Sequence, residues 1–89
     1  MNENNISPEP GKRIRYLRKK LGLSRAQFEE LTGISASTLR YLEIGKRELL
    51  PSRARLLSTI FIYRFSLKEE EAGESFLLYG EKMTILKEI

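Results

Sequence analysis

A glycine, one apolar residue and a serine punctuate the chain twice, as Gly22-Leu23-Ser24 and as Gly33-Ile34-Ser35. Glycine after an apolar-periodic segment suits a helix C′ position, and serine is a strong N-cap. Each triplet therefore closes one helix and opens the next. The first helix is predicted over 12–22, where Ile14, Leu17 and Leu21 form one apolar stripe. The second lies within 23–35. Ser24 and Gln27 have the spacing of a capping box, and Ala26, Phe28 and Leu31 supply its inner side. Gly33 ends it with a positive φ, which glycine adopts without steric cost. Ser35 caps a third helix over about 36–43, with Leu39 and Leu42 inward and Gly45 at its end. Ile34, just before the cap, tucks between the two helices.

Two further helices complete an all-α reading of five. Pro51 suits the start of a fourth over 51–65, with Leu56, Leu57, Ile60 and Phe61 as its apolar face. A fifth spans 66–80. Ser66 and Glu69 are spaced as a capping box, and Glu69, Glu70 and Glu71 favour a helix N-terminus. Gly73 weakens this helix locally and Gly80 ends it. Residues 81–89 read as a short helix or an extended arm. Residues 1–10 read as a flexible tail, 11–65 as the folded core and 66–89 as a C-terminal helix and tail.

The 89 residues include no cysteine and no histidine. Disulfides and thiolate metal sites are thereby excluded, and the commonest acid–base and nucleophilic groups are missing. The reading is a non-enzymatic protein without cofactor or metal. The chain has no apolar run of membrane-spanning length and no signal-peptide pattern, so the default is a cytoplasmic location. The net charge of +4 is unevenly spread: residues 11–65 hold 13 Lys/Arg against 4 Asp/Glu, and residues 66–89 hold 3 against 6. A basic body between acidic ends attracts polyanions, nucleic acid first.

Two short helices joined by a glycine turn make a helix-turn-helix. The segment GKRIRYLRKKLGLSRAQFEELTGISASTLRYLEIGKRE resembles the lambda-repressor-like, Cro-type family, and the likeness extends over roughly 11–63. It is carried by Ile14, Leu17, Arg18, Gly22-Leu23-Ser24, Phe28, Gly33-Ile34-Ser35, Leu39, Leu42-Glu43 and Gly45-Lys46. The resemblance implies five helices around one small core, with the third entering the DNA major groove. Arg18 and Glu43 stand where the family forms an inter-helix ion pair. Position 25, often glutamine in the family, is Arg25, which keeps a phosphate contact. Position 29, usually alanine, is Glu29, a costly carboxylate unless it swings to solvent or meets a cation such as Arg25 one turn back.

With Leu39 and Leu42 inward, positions 36, 37, 40, 41 and 44 point outward. Ser35, Ala36, Ser37, Arg40 and Tyr41 are therefore the candidate base readers, with Arg40 suited to guanine O6 and N7. Arg25, Ile44, Gly45, Lys46, Arg47 and Arg53 are the candidate phosphate contacts, Gly45 and Lys46 through backbone N–H groups as well as charge. One such helix reads few base pairs, and the resemblance implies a symmetric dimer on an inverted repeat. Phe76, Leu77, Leu78 and Tyr79 are its candidate interface, with a swapped arm carrying Met83, Ile85, Leu86 and Ile89.

Three functions fit these features. The first is a sequence-specific regulator of transcription, whether repressor or activator, on double-stranded DNA. The second is a protein-interaction module or antitoxin, with the helix-turn-helix as scaffold and a protein partner at the C-terminal helix. The third is a nonspecific nucleic-acid coat with strong salt dependence.

Overall fold

The structure is a computed structural model that describes residues 9–80. Its described residues contain helices and no strand, the all-helical class the sequence predicts. The chain divides into two compact units at Leu49–Leu50.

The first unit holds α1 (Glu9–Lys20), α2 (Arg25–Thr32) and α3 (Ala36–Glu43). Its apolar core is Ile14, Leu17, Phe28, Ile34, Leu39, Leu42 and Leu49. Both α1 and α2 pack on α3. Helix α1 starts three residues before the predicted boundary, so Glu9 and Pro10 are helical rather than tail. Proline is tolerated in a first turn, where its missing N–H has no intrahelical acceptor to serve. Residues 1–8 of the predicted tail lie outside the described residues.

Packing explains the early start. Gly11 is buried in α1, and a Cβ there would lie 1.8 Å from the backbone oxygen of Leu42. The glycine lets α1 approach the end of α3 at backbone distance. At α2, Ser24 accepts from Gln27 N at 3.0 Å and Gln27 Oε1 accepts from Ser24 N at 2.8 Å, the reciprocal capping box. Gly33 closes α2 at φ 78, and Ser35 caps α3 by accepting from Thr38 N at 3.1 Å. One inward assignment fails: Ala26 is exposed. In so short a helix Phe28 alone is fully buried, and Leu31 is half-buried.

The second unit holds α4 (Pro51–Thr59), which runs on into a π-helical segment (Ile60–Arg64), then α5 (Glu69–Ala72) and α6 (Glu74–Tyr79). Its core is Ala54, Leu57, Phe61, Ala72 and Leu77. Helix α4 packs on α6. Leu56, predicted inward, is 40% exposed, because the buried stripe follows Ala54, Leu57, Ser58 and Phe61.

The predicted fifth helix is two helices. Gly73 at ψ 169 breaks the run and serves as N-cap of α6. The Ser66–Glu69 capping box does not form: Ser66 takes φ 60, and Lys68 is the N-cap of α5 without a side-chain bond. Leu67 N instead donates to Phe61 O at 3.1 Å, so the chain closes the π segment before α5 begins. Residues 81–89, with the proposed arm of Met83, Ile85, Leu86 and Ile89, lie outside the described residues.

Candidate nucleic-acid interface

The α2–turn–α3 unit is held by local bonds. Thr32 Oγ1 donates to Phe28 O at 2.9 Å and accepts from Ile34 N at 3.0 Å, so one hydroxyl bridges the end of α2 and the turn. Helix α3 buries Leu39, Leu42 and Glu43. Its other side presents Ser37, Arg40, Tyr41 and Ile44 to solvent, with Ala36 half-buried. Ser35 is exposed, and its Oγ also donates to Thr38 Oγ1 at 3.0 Å, so its hydroxyl is occupied by capping. Small residues thus lead the helix and a guanidinium follows one turn later.

At the far end of α3, Arg18 Nε donates to Glu43 Oε2 at 2.7 Å and Arg18 Nη2 to Oε1 at 3.1 Å. Arg18 Nη1 donates to Leu23 O at 2.6 Å. The Glu43 side chain is 0% exposed and that of Arg18 is 7% exposed. A second guanidinium completes the cluster. Arg25 Nη2 lies 3.1 Å and Nε 3.2 Å from Glu43 Oε1, with 34% of its side chain exposed. One buried carboxylate therefore ties the end of α1, the start of α2 and the end of α3. Removing it would leave two cations facing each other, the costly way to break a buried pair.

This cluster corrects the anticipated partner of Glu29, since Arg25 turns to Glu43. Glu29 is itself exposed, and its Oε1 accepts from Ala36 N at 3.1 Å. The carboxylate caps α3 beside Ser35, at the positive end of the helix dipole. Its cost in an inter-helix contact does not arise. Glu29 and Ala36 are seven positions apart, and only the angle between α2 and α3 brings them together.

The phosphate candidates separate in kind. Beyond α3, Gly45 N donates to Leu42 O, while Lys46 N and Arg47 N both donate to Tyr41 O at 2.8 and 3.1 Å. Ile44 N donates to Arg40 O at 3.0 Å. The anticipated backbone donors at Gly45 and Lys46 are thus already used to close the helix. What this turn offers outward is the side-chain charge of exposed Lys46 and Arg47. Arg53 belongs to the second unit, half-buried on α4. Burial lowers the pKa of the Arg13 guanidinium on α1, against an opposing influence from Glu9. Arginine stays charged in proteins, so the basic count is unchanged.

A family model described as Helix-turn-helix matches residues 14–66, more than half of the chain. The chain belongs to the lambda-repressor-like helix-turn-helix family. No curated protein and no solved structure matches it. The match covers every residue of the α2–turn–α3 unit and of the Arg18–Glu43–Arg25 cluster. In this helix-turn-helix protein the proposed dimer residues fall in the second unit. Tyr79 is 67% exposed and Phe76 and Leu78 are half-buried, but Leu77 is 0% exposed and belongs to that unit's own core. Among the described residues no helix is long and apolar enough to cross a membrane, and no group of His, Cys, Asp and Glu is placed to hold a metal.

Proposed function

We propose that this helix-turn-helix protein is a sequence-specific regulator of transcription that inserts α3 into the major groove of double-stranded DNA. The carrying observation is the outward side of α3. Arg40 and Tyr41 are exposed there, Ser37 precedes them, and no side-chain bond among the described residues occupies Arg40. An unengaged guanidinium on a capped, well-anchored helix is suited to guanine O6 and N7. Ser35, Ala36 and Ser37 keep bulk away from the bases. Arg25, Ile44, Gly45, Lys46 and Arg47 flank this side, with Arg25, Lys46 and Arg47 supplying charge to phosphates. Arg53, on α4 of the second unit, is a phosphate candidate of that unit by itself. The protein acts as a homodimer through Phe76, Leu78 and Tyr79, without enzymatic activity, in the cytoplasm with the DNA.

The test is a binding selection on random duplex DNA at about 150 mM salt, where screening removes much nonspecific phosphate binding. An enriched inverted repeat with half-sites about one helical turn apart supports a dimeric reader. A pool that stays random overturns it. The exposed ring of Tyr79 beside Phe76 and Leu78 favours a second reading, a protein-interaction module or antitoxin with its partner on α6. That reading gains if Arg40→Ala with Arg25→Ala leaves function intact while Tyr79→Ala abolishes it.

A further inference from the structure

Glu29 carries a charge that the proposed reading of α3 leaves without a DNA role. Its Oε1 is fixed by the Ala36 N–H, at the first residue of α3. The side chain is exposed, and that N–H is its one side-chain hydrogen-bond partner among the described residues. The nearest cation along α2, Arg25, is committed to Glu43. An anchored carboxylate with Oε2 to spare therefore stands beside Ala36 and Ser37, at the leading end of the helix that would enter the groove. The bond to Ala36 N–H restricts the side chain and so lowers the rotamer entropy it loses on binding. The helix dipole offsets part of the repulsion between this anion and DNA.

Resting on the regulator reading, we infer that Glu29 is a base-selecting residue that requires an amino donor on the base facing the N-terminus of α3. An ionised carboxylate accepts hydrogen bonds and donates none. In the major groove guanine offers O6 and N7 acceptors and thymine the O4 acceptor, all repelled by a carboxylate. Cytosine offers the N4 donor, and adenine offers N6 beside the N7 acceptor. Cytosine is the preferred base, adenine second, and guanine and thymine are rejected.

Parallel selections on random duplex DNA with the unmodified protein, Glu29→Gln and Glu29→Ala test this, with melting curves for all three. Glutamine keeps Oε1 for the Ala36 N–H and turns the spare position into the donor Nε2, which suits the acceptors of guanine and thymine rather than an amino group. The expected result is a cytosine preference at one position of each half-site in the unmodified protein. Glu29→Gln moves that position to guanine or thymine with about a tenfold loss of the cytosine preference, the size of one lost base contact. Glu29→Ala leaves the position degenerate, and the rest of the operator is unchanged in both. If the variants enrich the same operator at every position and only melt lower, Glu29 is a helix cap alone and the inference fails by itself. If the unmodified protein enriches no sequence, the regulator reading fails and takes the inference with it.

Discussion

Gly11 and Glu43 decide how closely three helices meet. In a helix interior alanine is favoured over glycine by about 1 kcal/mol. At position 11 the sign reverses, because the new Cβ would meet backbone rather than a movable side-chain end. Gly11→Ala is expected to lower the stability by about 1–3 kcal/mol, the range for overpacking a tight contact, measured by urea unfolding. Glu43→Ala is expected to cost about 3–5 kcal/mol, since it strands the buried Arg18. Arg25→Ala should cost less than about 1 kcal/mol, because its partly exposed guanidinium is screened by solvent and Glu43 keeps Arg18. Equal losses for the two variants would mean that Arg25 is as structural as Arg18. The Arg55–Glu74 pair, 3.6 Å apart and largely exposed at Arg55, contributes little in comparison.

At the scale of elements, the short helices depend on their ends. Helices of this length are marginal alone, so caps and packing supply what propensity cannot. Ser24→Ala removes one half of a reciprocal capping box and should cost about 1 kcal/mol in thermal or urea unfolding. Ser35→Ala should cost less, because Glu29 still accepts from the first N–H of α3. The Ser35→Ala, Glu29→Ala pair should then lose more than the two single changes added together. Strict additivity would show that the two caps act independently. The same scale separates what was legible from what was not. The caps of α2 and α3 depend on residues three apart, so they can be read from a line of sequence. The Ser66–Glu69 spacing is as good on paper, yet the chain there first has to leave a π-helical turn through Ser66 at φ 60.

At the scale of the whole molecule, charge is unevenly distributed along the chain. Residues 11–65 are strongly basic and residues 66–89 acidic. On the regulator reading, the logarithm of DNA affinity should fall linearly with the logarithm of salt concentration. Lys46→Ala and Arg47→Ala should each reduce that slope by about one while weakening all sequences alike. Arg40→Ala should instead relax the choice at one base position and cost about 1–3 kcal/mol there. A uniform loss with Arg40→Ala, measured by titration against operator and scrambled duplex, would make Arg40 another phosphate contact. On the homodimer proposal, Tyr79→Ala is expected to raise the dimer dissociation constant in sedimentation equilibrium, with the melting temperature little changed because Tyr79 is exposed.

Apart from the Ser66–Glu69 spacing, what near neighbours carry was determined by the sequence alone. Glycine and serine at Gly22, Ser24, Gly33 and Ser35 mark helix ends because caps and left-handed turns act within a few residues. The periodicity of Ile14, Leu17, Leu39 and Leu42 marks buried faces for the same reason. Contacts between elements were decided by the tertiary structure. Gly11 meets the Leu42 carbonyl, Arg25 turns to Glu43 rather than to Glu29, Glu29 reaches the first N–H of α3, and Leu77 sinks into the core of its unit. Periodicity says that a face is buried, but not against what. A long charged side chain has several partners within reach, and the packing angles of the helices settle which one it meets.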